Sequence, residues 1–313
     1  MLTTFLATLS PMLVMFSCIV IGFVLKKKRI LPDNAASVLS SLENFVFVPA
    51  LIINTFMNYC TVATLSEHYG LLIYSVIATA IAIVIAHILA PLFTKDKYMK
   101  HIYHYSLTFG NFGFLANSIV PALFGDEMLY YYMLFTLPLN VAVYTWGCTI
   151  LIPQGEEKKS PLKNLINPVF IAILIGATLG LSGATTVLPK FFSDTVSTLG
   201  SCMGPVAMLL TGMVVGGYEI KSLLSDKKVY IATFLRLFIF PAFLVAVLKL
   251  LGAGEMPLTF TIVAFGAALG LNSVVFPAAY GGDTKPGASM AIISHTLAVV
   301  TIPIMYSLLT LVI

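Results

Sequence analysis

Apolar and polar positions follow a coarse rhythm along the chain. Apolar runs of about 20 residues recur from end to end, parted by short polar stretches, and each such run matches the roughly 30 Å hydrocarbon core of a bilayer when helical. Ten spans are predicted, at about 4–25, 35–56, 70–93, 102–123, 129–152, 167–187, 195–217, 229–251, 257–280 and 287–311. No stretch between them leaves room for a soluble domain. The first span is expected to stay in the membrane. Its apolar run is too long for a signal peptide, no Lys or Arg precedes it, and KKKR follows it. The pattern therefore predicts an all-α polytopic membrane protein.

Composition agrees: 59% of residues are hydrophobic and 10% charged, against roughly 25% charged in a soluble domain. Basic residues then set the orientation, because short cytoplasmic loops retain Lys and Arg. Lys26 to Arg29 supply four, and Lys95, Lys97 and Lys100 three. Lys158, Lys159 and Lys163 supply three, Lys221, Lys227 and Lys228 three, and Lys285 one; the intervening loops hold only Lys190. Fourteen cations against one, in alternate loops, support the count of ten and place both termini outside the cytoplasm. The net charge of +4 thus reflects topology. It is spread over five short loops without an aromatic-basic stripe, so no nucleic-acid partner is expected. Cys18, Cys148 and Cys202 fall in spans and Cys60 stands alone in an outer loop. With no CxxC pair, neither a metal nor a redox cofactor is expected.

Two stretches repeat each other: NSIVPALFGDE from Asn117 and NSVVFPAAYGGD from Asn272, 155 residues apart. Further pairs keep the five-span offset, PALII from Pro49 with PVAMLL from Pro205, and TLPL from Thr136 with TIPI from Thr301. The chain reads as two inverted five-helix repeats, 1–152 and 167–313, joined by a cytoplasmic linker at 153–166. Inverted repeats are the architecture of secondary transporters, whose halves exchange inward-open and outward-open arrangements around a central site. The repeated strings also carry helix-breaking chemistry. GNFGFLANSIVP and FGAALGLNSVVFP gather Gly113, Pro121, Gly270 and Pro277 as candidate helix breaks. Freed backbone groups at membrane depth are tolerated only beside a cavity or protein partners, so the fourth and ninth spans are expected to be broken helices that cross at the membrane centre.

At these residues the sequence resembles the auxin efflux carrier family, whose fold is shared with the bile acid:sodium symporter superfamily. IGFVLKKKRIL and FVFVPALI resemble its first two spans, and GNFGF with ALFG its fourth. NPVFIAILIGATLG and GPVAMLLTGMVVGG resemble its sixth and seventh, LNSVVFPAAYGGD and TLAVVTIP its ninth and tenth. The resemblance implies a scaffold of helices one, two, six and seven, and a transport domain of helices three to five and eight to ten moving as an elevator. The family places a proline at each crossing; the corresponding positions here are Ser118 and Ala268. The short linker QGEEKKSPLKN is of prokaryotic type, and such members are associated with organic anions such as dicarboxylates.

Substrate contact is expected from Asn111, Asn117, Ser118, Asn140, Asn272, Ser273 and His295, although polar groups also serve as glue between membrane helices. For His295 that structural role weighs more than proton coupling. Glu43 and Arg236 are the carboxylate and the arginine well inside spans. Intramembrane charges default to functional hypotheses, and the two are expected to pair as an inner gate. The function predicted is transport of a small organic anion, an auxin-like acid or a dicarboxylate, across the cytoplasmic membrane. Sodium or proton coupling is admitted, as is a homodimer in the bilayer. The alternatives are a sodium-coupled bile-acid-like symporter and, with less support, an ion channel. An enzyme is not expected: YGGD at Tyr280–Asp283 has no second intramembrane aspartate to share a proton, and neither HExxH nor GxSxG occurs.

Overall fold

The computed structural model describes residues 2–152, 161–270, 272–279 and 283–309. Lys158 and Lys159 of the linker, and Tyr280 to Gly282 of the YGGD string, lie outside the described residues. Among the described residues the protein is all-helical. Seven helices are long and apolar enough to cross a membrane, and three shorter apolar ones accompany them.

In chain order the main helices are α1 (Leu2–Lys27), α2 (Ala35–Tyr59), α3 (Gly70–Phe93), α4 (Lys97–Thr108), α5 (Leu115–Phe124) and α6 (Asp126–Leu151). They continue with α7 (Pro168–Leu181), α8 (Lys190–Gly216), α9 (Lys227–Leu250), α10 (Glu255–Phe265), α11 (Asn272–Ala279) and α12 (Lys285–Leu309). Their ends follow local chemistry. Asp96 Oδ1 accepts from Met99 N at 2.7 Å to start α4, and Asp226 Oδ1 accepts from Lys228 N at 2.9 Å to start α9. Asn167 caps α7 through Val169 N and Phe170 N, with Pro168 in the first turn where its missing N–H costs nothing. Lys26 and Lys27 close α1 at its negative dipole end. The expected fourth span is divided into α4 and α5 and the expected ninth into α10 and α11, as the glycines and asparagines foretold. Three spans contain a π-helical turn: Glu43–Phe47 in α2, Val143–Gly147 in α6 and Leu235–Ile239 in α9.

Two sets of helix contacts position the site, and the main core runs through both. In the first, α1 lies along the second half of α8 and α7 lies along α2. Lipid gives no hydrophobic force between helices, so such pairs depend on close backbone approach through small residues. A Cβ on Gly22 would collide with the Leu209 backbone, one on Gly212 with the Ile19 carbonyl, and one on Gly180 with the carbonyls of Phe56 and Cys60. The second group is built from α3, α4, α5, α6, α9 and α10 around a core in which Tyr103, Tyr105, Tyr130, Phe135, Phe260 and Phe265 are buried. The outward stripe Val84, Ile88 and Leu92 of α3, one residue per turn, stays exposed for lipid.

Candidate functional site

Glycine and asparagine, not proline, lie where α4 ends. After Thr108 the chain leaves the helix, and Asn111 turns it into α5: its Oδ1 accepts from Phe114 N at 3.2 Å and Leu115 N at 3.4 Å. On the other side Gly266 ends α10, and α11 begins at Asn272. The two breaks meet. Gly110 and Leu269 form an antiparallel bridge, Asn111 N donates to Ala268 O at 2.6 Å, and Leu269 N donates to Ser294 Oγ at 2.9 Å. Freed backbone groups thus find protein partners, as the absence of water at that depth demands. Gly110 is required for the approach, since a Cβ there would stand 2.8 Å from Ala267 O and 3.0 Å from Ala268 O.

Several expectations change. Gly113 and Gly270 lie in the breaks, but Pro121 and Pro277 lie inside α5 and α11. Each proline removes one N–H donor from its short helix without ending it. Ala268 is at the crossing; Ser118 is not, and sits in α5 with its Oγ donating to Phe114 O at 2.7 Å. Ser273 likewise donates to Gly270 O at 2.9 Å. Both hydroxyls serve the interrupted backbone.

A cavity of about 420 Å³ opens between the crossing and the first helix group. Asn111, Asn117, Asn140 and Asn272 line it from the crossing and α6, together with Gly110, Gly113 and Gly270. Asn44, Val48 and Ile52 of α2 and Asn167 and Ile173 of the α7 region close it from the other side. Ser118, Ser273 and His295 do not line it. Beside Asn111, two more of the amides are anchored: Asn272 Nδ2 donates to Tyr105 Oη at 2.9 Å and Asn140 Nδ2 to Thr136 O at 3.1 Å. Asn117 Oδ1 is buried and accepts no hydrogen bond among the described residues. His295 stands behind Asn111. Its Nδ1 meets the Ala291 carbonyl at 2.8 Å, an atom that only accepts, so Nδ1 bears the proton and Nε2 accepts from Asn111 Nδ2 at 2.9 Å. His104 is buried within α4 beside His87 and Trp146.

The expected Glu43–Arg236 pair is not formed. Arg236 is fully buried at the crossing, where Nη1 donates to Leu107 O at 3.3 Å and Nη2 to Ala264 O at 3.1 Å. Glu43 is fully buried in the π turn of α2, with neither carboxylate oxygen hydrogen-bonded among the described residues. Among those residues the ion pairs are Lys26–Asp33 and Lys190–Asp194, both at helix ends. Depth along a helix had suggested a gate; lateral packing puts the guanidinium against the carbonyls of α4 and α10 instead. Sequence reasoning also missed Tyr105, Asn44 and Asn167. Only Asn167 carried a signal, the Asn-Pro start of a helix, and that signal spoke of capping.

Residues 7–306 match a family model described as membrane transport protein. An uncharacterized transporter of Schizosaccharomyces pombe is 24% identical over 208 residues, covering 58% of this chain and 46% of that relative. The chain therefore spans about half the length of the curated relative it matches.

Proposed function

Because the chain belongs to the membrane transport protein family of the auxin efflux carriers, we propose that it carries a small organic anion across the cytoplasmic membrane by alternating access at the crossing. The observation that carries this reading is the cavity beside two interrupted helices, lined by amides and by the beginnings of α5 and α11. Each of those helices turns its positive dipole end toward the crossing, an arrangement suited to a carboxylate. Asn117 and Asn272 amide groups would donate to the anion, while Val48, Ile52 and Ile173 would cover its apolar part. The α1, α2, α7 and α8 group serves as scaffold, and the group holding the crossing moves against it as an elevator.

Reconstituted protein tests the proposal directly. Uptake of radiolabelled succinate and of indole-3-acetate into proteoliposomes is expected to saturate for at least one of them, and to be lost in Asn117→Ala and in Asn272→Ala while both variants still reconstitute. Unchanged kinetics in both variants would remove the site. Current at channel rates, without saturation or counterflow, would remove the carrier.

A further inference from the structure

Interrupted helices in membrane carriers expose two kinds of ends: N-termini that attract anions, and C-termini with unwound carbonyls that hold coupling cations. In this chain the second kind is already occupied. The C-terminal carbonyls of α4 and α10 converge on the crossing, and one side chain reaches both, Arg236 Nη1 to Leu107 O and Nη2 to Ala264 O. The guanidinium is fully buried, and the Phe265 ring lies 5.5 Å from its Cζ. Space for it is built into the opposing strand of the crossing, because a Cβ on Gly110 would stand 2.7 Å from Nη2. Arg236 itself sits in the π turn of α9, an extra-residue turn that re-aims a side chain out of the ordinary helical register. Leucine or another apolar residue there would leave the two carbonyl ends facing each other without a counter-charge.

We propose that the Arg236 guanidinium is a built-in replacement for a coupling cation, filling the carbonyl site between α4 and α10 so that the crossing assembles without sodium or any other alkali ion. A guanidinium stays charged under all ordinary conditions, so the site is permanently loaded. Gly110 both lines the cavity and abuts Nη2, which sets this fixed positive charge directly behind the wall of the proposed anion site. A carrier that travels with its own cation needs no ion gradient to complete its binding site. The inference deepens the carrier reading, and its test uses cations alone, so it can fail while the anion site stands.

The test is the melting temperature of the purified full-length protein in detergent, in sodium, potassium or choline chloride at matched ionic strength. A ligand that binds the folded state raises apparent stability as ln(1 + [L]/Kd). The wild-type protein is expected to melt at the same temperature in all three salts. Arg236→Ala is expected to melt lower and to recover about half of the loss with millimolar methylguanidinium or with an alkali cation in place of choline. Arg236→Lys, which keeps the charge, is expected to need no added cation. A sodium-specific rise in the wild-type protein overturns the proposal, and that measurement does not depend on any variant folding. So does an Arg236→Ala protein that melts lower yet responds to no cation, the behaviour of a residue with only a packing role.

Discussion

Replacing Gly110 by alanine tests the crossing with one methyl group. Its Cβ would stand 2.7 Å from Arg236 Nη2, 2.8 Å from Ala267 O and 3.0 Å from Ala268 O. Favourable contact with carbon begins at about 3.5 Å, so the opposing strand must retreat by about 0.7 Å. Two of the three neighbours are backbone and cannot rotate away, and the third is bound to Leu107 and Ala264. The retreat stretches the 2.6 Å bond from Asn111 N to Ala268 O beyond its ordinary range. Overpacking costs about 1–3 kcal/mol and a weakened buried hydrogen bond about 1 kcal/mol, together about 2–4 kcal/mol. Taking the lower figure, and an unfolding entropy of about 2.1 cal/mol/K per residue over 313 residues, the melting temperature should fall by about 3 °C. Gly113→Ala is the internal control: a Cβ there meets nothing within 4 Å, so the change should stay within about 0.5 kcal/mol. The readout is intrinsic fluorescence on heating in detergent, since the single tryptophan, Trp146, lies 5.9 Å from the Phe109 ring at the edge of the crossing. Equal melting of the two alanine variants would refute the claim that Gly110 is where the strands touch.

Asn111→Ala should lower stability by about 1–2 kcal/mol, because it removes the cap of α5 and the donor to His295. Asn117→Ala, whose Oδ1 accepts nothing, should cost less than about 0.5 kcal/mol in the same melt, and the reverse order would reject the capping role. In a double-mutant cycle, Glu43→Gln and Arg236→Gln should add within about 0.5 kcal/mol, since the two groups form no pair; a larger coupling energy would restore the gate.

What the sequence revealed depends on whether the cause is local. The α3 helix, Gly70–Phe93, occupies the very span read from its apolar run, because hydropathy and length decide a membrane helix residue by residue. The interruption of the fourth and ninth spans was also legible, from glycine and asparagine in apolar surroundings. Its exact place was not. Pro121 and Pro277 drew attention as helix breakers, yet the breaks lie earlier, where Asn111 can cap and Gly110 can let another strand approach. The partner of that approach is 158 residues away in the chain, at Ala268 relative to Gly110. Arg236 and Glu43 failed for a related reason: a position counted from the membrane surface says how deep a charge lies, whereas its partner is chosen by the face of the helix, here re-aimed by π turns.

The bridge between Gly110 and Leu269 has a consequence for the order in which this protein is made. When α4 and α5 leave the ribosome, the Asn111 amide has no Ala268 carbonyl to meet, because that residue has not yet been translated. Neither α5, with 10 residues, nor α11, with 8, crosses about 30 Å of hydrocarbon alone at about 1.5 Å per residue. The first break must therefore wait in the bilayer or the insertion machinery, sheltered by water or by earlier helices, until the second arrives. Biogenesis of the chain is thus a long-range closure in which the last third completes a segment laid down in the first half, and a truncation that spares every residue before α10 still leaves that early segment unfinished.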